Sequence, residues 1–149
     1  MQGAHILLVE DDDVLGDLIM RNLQARGHDV KMTGDAENAL ALLRSRKFDF
    51  VLLDINLPDR TGWDILREAQ QEGILHALDF NEHEQVLPVV VLSAVRVSPH
   101  RLAEFHPLAY LPKPFPMEAL LRLVAEVVAR NQHVPGRPSS GRPQGSPLQ

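Results

Sequence analysis

Short continuous apolar runs alternate along this chain with stretches where apolar residues recur every three or four positions. His5–Val9 is the first run. Such a run is what a strand buried on both faces carries. Val14, Leu15, Leu18, Ile19 and Leu23 follow at helical spacing, and Gly27 is the stop signal. Asp29–Thr33 reads as a second strand. Asp35 is placed to N-cap a helix whose inward face is Ala36, Ala39, Leu40 and Leu43. Phe50–Leu53 is a third buried strand, and Pro58–Gly62 a loop. Trp63, Ile65, Leu66 and Ala69 begin a third helix, in which Trp63 reads as packing. Val89–Leu92, after Pro88, is a fourth strand. Ser98–Pro99 is a helix start, with Ser as N-cap and Pro at the first position. Ala109–Leu111 is a short fifth strand. Pro116 opens a last helix with Leu120, Leu121, Val124, Val127 and Val128 inward.

Five apolar strands, each followed by an amphipathic helix, predict an α/β fold. Its parallel sheet is covered by helices on both faces. Right-handed crossovers make that five-stranded sheet doubly wound. The segment Gln70–Leu87 is longer than a typical connection and reads as an insertion, with a helix extension or a structured loop. It contains His76 and His83, which could ligate a metal. With no cysteine and no repeated spacing beside them, a solvated acidic loop is the favoured reading.

Composition divides the chain. Residues 131–149 hold four prolines, three glycines, three serines and no acid, with Arg137 and Arg142 as the only full charges. Too little apolar surface is present there to offset ordering entropy, so the expectation is a disordered tail or linker. The whole chain has 15 Lys+Arg, 20 Asp+Glu and a net charge of −5. Without the two tail arginines, residues 1–130 are left with 13 basic against 20 acidic side chains. An acidic domain argues against direct nucleic-acid binding, whose footprint is basic. Absence of cysteine excludes a thiol nucleophile, a disulfide scaffold and Cys-based metal sites. No apolar run approaches the roughly 20 residues of a membrane span, and the N-terminus lacks the pattern of a signal peptide. The expectation is therefore a cytoplasmic protein that does not bind membranes.

In a doubly wound sheet, ligands bind at the carboxyl ends of the strands. The residues there are Glu10, Asp11, Asp12 and Asp13 after strand one and Asp54 after strand three. Ser93 follows strand four, and Lys113 follows strand five. Clustered carboxylates repel one another unless a cation sits among them. Hard oxygen donors select a divalent ion such as Mg²⁺, which favours one or two carboxylates together with phosphate oxygens. A lysine and a hydroxyl beside that ion complete a site for a dianionic phosphoryl group, and a remaining carboxylate can serve as nucleophile. Asp12 and Asp13 have a plainer reading, as acids stabilising the N-terminus of the first helix.

On these residues the chain resembles the receiver domain of bacterial two-component response regulators. The resemblance covers about residues 3–130. It rests on Ile6–Asp12 (ILLVEDD), Val51–Asp59 (VLLDINLPD) with Gly62, Val89–Ala94 (VVVLSA) and Tyr110–Phe115 (YLPKPF). It implies a flavodoxin-like sheet of order 2-1-3-4-5 with five helices. It implies Asp54 as phosphoacceptor, forming a 4-aspartylphosphate, with Glu10 and Asp11 as the acidic pair holding Mg²⁺ and Asn56 contributing a backbone carbonyl. Ser93 and Lys113 would contact the phosphoryl group. Ser93 and Tyr110 would act as the switch pair, and Lys113–Pro114 would be a cis peptide. The partners implied are a histidine kinase or phosphotransfer protein. A homodimer would use the face of helix four, strand five and helix five. The sequence departs from the family where His106–Ala109 (HPLA) replaces the usual Gly-Ala, and where Pro99 and Pro107 limit helix four to about two turns.

On this reading the protein is a signalling phosphoacceptor, not an enzyme acting on other molecules. A Mg²⁺-dependent aspartyl phosphohydrolase is the competing class. Such enzymes place a second acid two residues after the nucleophile, where this chain has Asn56. A fragment of a longer regulator or hybrid kinase, with 131–149 as its linker, is the other alternative.

Overall fold

The computed structural model describes residues 3–78 and 84–132. For 76–78, 84–86, 131 and 132 only the backbone is described. The elements are β1 (His5–Val9), α1 (Asp13–Gln24), β2 (Asp29–Thr33), α2 (Ala36–Ser45), β3 (Phe50–Asp54) and α3 (Gly62–Glu72). They continue with β4 (His76–Leu78), β5 (Glu84–Val86), β6 (Val89–Ser93), α4 (Pro99–Phe105), β7 (Ala109–Pro112) and α5 (Met117–Gln132). α5 runs through Gln132, two residues into the expected disordered tail, and the rest of that tail, from position 133 onward, lies outside the described residues.

Five strands pair in the order β2-β1-β3-β6-β7, all parallel. This is the expected 2-1-3-4-5, because β6 and β7 are the fourth and fifth strands of this sheet. Side chains alternate across it. Leu7, Val9, Val51, Leu53, Val89 and Val91 face one core, shared with α2, α3 and Phe105 of α4. Ile6, Leu8, Phe50, Leu52, Val90 and Leu92 face the other, shared with α1 and α5. Burial on both faces is why the strands read as continuous apolar runs.

The caps follow the sequence. Asp12 accepts from Val14 N and Leu15 N at the start of α1, which is the plainer role read for it. Asp35 caps α2 through Asn38 N, and Ser98 caps α4 through Arg101 N with Pro99 at the first position.

Two expectations need correction. Val14 and Leu18 are 82% and 48% exposed, so they do not belong to the inward stripe of α1. That helix packs through Gly16, Ile19 and Leu23. Gly16 faces Met32, whose Sδ would stand 2.7 Å from a Cβ there, and Val14 and Leu18 fall on the opposite, solvent side of the helix. The helix also ends at Gln24, before Gly27, which takes φ 88° in the turn beyond. The insertion expected at 70–87, a helix extension or a structured loop, contains a pair of short strands. After α3 stops at Gly73 in the left-handed region, β4 and β5 pair antiparallel outside the main sheet. His83 lies outside the described residues.

Candidate functional site

The polar residues that interrupt the apolar runs meet at one rim. β1 leads into Glu10 and Asp11, β3 ends on Asp54, β6 ends on Ser93, and β7 leads into Lys113. Backbone pairing fixes the levels. Asp54 stands opposite Leu92, Ser93 stands opposite Pro112, and Lys113 N donates to Ser93 O at 2.8 Å. The Lys113–Pro114 peptide is cis. Glu10, Asp54 and Ser93 are 2%, 3% and 0% exposed, whereas Asp11 and Asn56 are exposed.

Carboxylate oxygens of Glu10, Asp11 and Asp54 lie within 4.8 Å of one another. Lys113 Nζ donates a 3.2 Å hydrogen bond to Asp54 Oδ2. It also stands 2.7 Å from Glu10 Oε1, an ionic contact outside hydrogen-bond geometry, so that buried oxygen has no hydrogen-bond donor. Two backbone amides help: Asp12 N donates to Glu10 Oε2 and Asn56 N to Asp54 Oδ1, each at 3.1 Å. Three acids thus share one ammonium. Burial pushes the Glu10 carboxyl up to about 7, against the smaller pull of Lys113 and the Asp12 amide. Partial burial and the neighbouring Asp54 raise Asp11 as well. Burial works against the Lys113 ammonium, but Glu10 and Asp54 outweigh it and hold its pKa above the ordinary value.

A divalent cation fits this set. All donors are hard oxygens, the carboxylates exceed the positive charge beside them, and one buried oxygen, Glu10 Oε1, is met only by the Lys113 ammonium.

Ser93 and Tyr110 meet on a third residue. Ser93 Oγ donates to Val95 O at 2.8 Å and accepts from Val95 N at 3.1 Å. Tyr110 Oη donates to the same carbonyl at 3.2 Å. Val95 was not singled out in the sequence, because a backbone carbonyl leaves no mark on residue type. Its one signal is its place two residues after Ser93.

Two further residues shape the rim. The Gly62 amide donates to Ile55 O at 2.7 Å, and a Cβ there would come within 2.8 Å of Asp54 O. Glycine therefore lets α3 begin directly against the end of β3. Asp59 accepts from Ala36 N and Glu37 N, at 2.9 and 3.2 Å, and so caps α2 from a distant loop. These amides hold its carboxyl below the usual range.

Leu15, Ala94, Lys113, Pro114 and Phe115 line a cavity of about 260 Å³ beside the lysine. A cavity of about 300 Å³ between Arg44–Phe48, Ile74 and Leu87 is larger but includes none of the rim residues, so size does not mark the chemistry here. Among the described residues, no helix is long and apolar enough to cross a membrane.

A family model described as "Response regulator receiver domain" matches residues 6–125. The chain is 38% identical over 131 residues to the response regulator protein PmrA of Pseudomonas aeruginosa, covering 85% of this chain and 53% of that protein. It is 32% identical over 129 residues to the response regulator MprA of Mycolicibacterium vanbaalenii, covering 85% and 51%. The chain thus spans about half the length of these curated relatives. Among solved structures, it is similar to the receiver domain of sensor histidine kinase PA1611 from Pseudomonas aeruginosa, which has a magnesium ion coordinated in its active site cleft. That match has a TM-score of 0.69 and 27% identity, over 85% of this chain and 98% of the other. The chemotaxis response regulator CheY4 of Vibrio cholerae matches with TM-score 0.70 and 25% identity, over 85% and 99%.

Proposed function

This chain belongs to the response regulator receiver domain family, and from that membership we propose that Asp54 accepts a phosphoryl group from a kinase phosphohistidine. The observation that carries the reading is the convergence of Glu10, Asp11, Asp54 and Lys113 at one strand-end rim.

Asp54 is the nucleophile. One carboxylate oxygen attacks phosphorus, the phosphorus–nitrogen bond breaks, and the imidazole leaves. Lys113 already contacts Asp54 Oδ2 and stands ready to pair with a phosphoryl oxygen. Glu10, Asp11, Asp54 and the Asn56 carbonyl would hold Mg²⁺, which when bound supplies charge neutralisation at the phosphoryl oxygens. The product is a 4-aspartylphosphate carrying about two added negative charges and new acceptor oxygens. Ser93 gives up Val95 O to donate to that group. Tyr110 is then left as the side-chain donor to Val95 O, and the backbone after β6 repositions.

The partner is a histidine kinase or phosphotransfer protein, and the setting is the cytoplasm. The face of α4, β7 and α5 is the candidate homodimer surface. Residues 133–149, after α5, serve as a tail or as the linker to an output region.

Intact mass after incubation with acetyl phosphate tests the reading. One added phosphate with Mg²⁺, and none with EDTA, is the expected result. No gain under any divalent ion would overturn it.

A further inference from the structure

The phosphoacceptor reading moves the backbone after β6 without saying whether α4 moves with it, and this inference rests on that reading. α4 has seven residues, and Phe105 is its only buried one. That ring stacks on Trp63 at the start of α3, with centroids 5.3 Å apart and planes 18° from parallel. Two arginines close over the pair. The Arg67 guanidinium lies 5.4 Å from the Phe105 ring centre and the Arg101 guanidinium 5.9 Å from that of Trp63. Both arginines also reach Glu104, Arg67 from α3 at 3.0 Å and Arg101 from α4 at 3.4 Å. A short helix with one buried anchor would ordinarily be the loosest in the fold. Here its anchor is held by a ring stack, two cation–π contacts and a shared carboxylate.

The connection before α4 is built differently. Ala94, Val95 and Arg96 are exposed, and Val97 is half-buried. Val95 is tied to the fold by its bonds to Ser93 and Tyr110, the two groups proposed to rearrange.

We infer that the Trp63–Phe105 stack, closed over by Arg67 and Arg101, is a clasp that keeps α4 fixed on α3 in both states. Phosphorylation then repositions the 94–97 connection while α4 stays in place. A partner that discriminates the two states reads Val95, Arg96 and the Tyr110 edge of β7, while α4 serves as a rigid floor.

Hydrogen exchange of the full chain, with Mg²⁺ and with or without beryllofluoride, tests this. In the wild type, amides of 94–98 change on beryllofluoride binding and those of 100–106 do not. Without beryllofluoride, Phe105→Leu raises exchange in 100–106 by about tenfold or more, because the anchor is lost. Arg67→Gln, which leaves the rings stacked, gives a smaller rise in the same amides. The clasp is refuted if wild-type α4 responds to beryllofluoride as strongly as 94–98 does. It is equally refuted if neither variant raises α4 exchange above that of the other helices. Failure of the underlying phosphoacceptor reading looks different: beryllofluoride then leaves the amides around Asp54 and Ser93 unchanged. In that case the two variants still decide whether the clasp exists.

Discussion

Glu10 and Glu72 are the same side chain in opposite settings. Glu72, on the last turn of α3, accepts two 2.7 Å hydrogen bonds from Arg44 of α2, and its carboxyl is held below the ordinary range. Its neighbour Glu68 bonds to both Arg44 and Arg60. At that seam the carboxylates meet guanidinium forks at the surface, where solvent also helps. Glu10 is buried, its Oε1 meets only the ammonium of Lys113, which Asp54 shares, and burial pushes its pKa up to about 7. The fold is able to pair its acids, as α2 and α3 show. The charge deficit at the rim is thus a local feature, of the kind that functional sites retain at a cost in stability.

Removing the rim's only ammonium breaks the comparison most sharply. Lys113→Ala leaves three acids within 4.8 Å without a countercharge. Urea unfolding in Mg²⁺-free buffer at alkaline pH should show a loss of about 3 kcal/mol. A loss below about 1 kcal/mol would mean that the lysine does not hold the acids together.

Glu10→Gln acts in the opposite direction. A carboxyl whose folded pKa is raised from 4.5 to about 7 stabilises the fold below the lower value. That contribution is lost as pH rises through the upper one. With EDTA, the wild type should lose stability between roughly pH 5 and pH 8, and Glu10→Gln should flatten that part of the profile. At the alkaline end the variant should be the more stable protein by about 1–2 kcal/mol. Mg²⁺ should return stability to the wild type more than to the variant. Identical pH profiles for the two proteins would contradict this assignment of the deficit.

Arg44→Gln should have the smallest effect, because its bonds to Glu68 and Glu72 are at the surface. High salt should erase the difference from wild type. The pH sign is reversed here: Glu72 has a depressed pKa, so its contribution is present above 4.5 and lost as acid takes the pH through the folded value. An unfolding midpoint that responds to Arg44→Gln equally at low and high salt would remove the contrast between the two regions.

Much of this was legible in the chain because the sheet is buried on both sides. Continuous runs such as Phe50–Leu53 marked the strands, and the first polar residue after each run marked the rim. What escaped depended on contacts between distant residues. The buried stripe of α1 includes Gly16, which carries no apolar signal, and leaves out Val14 and Leu18, which do. The β4–β5 pair has three-residue strands containing His76, Glu84 and Gln85, with no apolar period to announce them. Asp59 caps α2 across 23 positions of chain, which no local pattern encodes. Phe105 found Trp63 in the same way, across a loop, a hairpin and a strand.

The position of the phosphoryl group tests the central claim most directly. After acetyl phosphate and Mg²⁺, borohydride reduction converts an acyl phosphate at an aspartate into homoserine, and peptide mass spectrometry locates it. Asp54 as phosphoacceptor predicts homoserine at residue 54 of the wild type and no conversion in Asp54→Asn. Conversion at Asp11 or Asp12 instead, or undiminished labelling of Asp54→Asn, would contradict it.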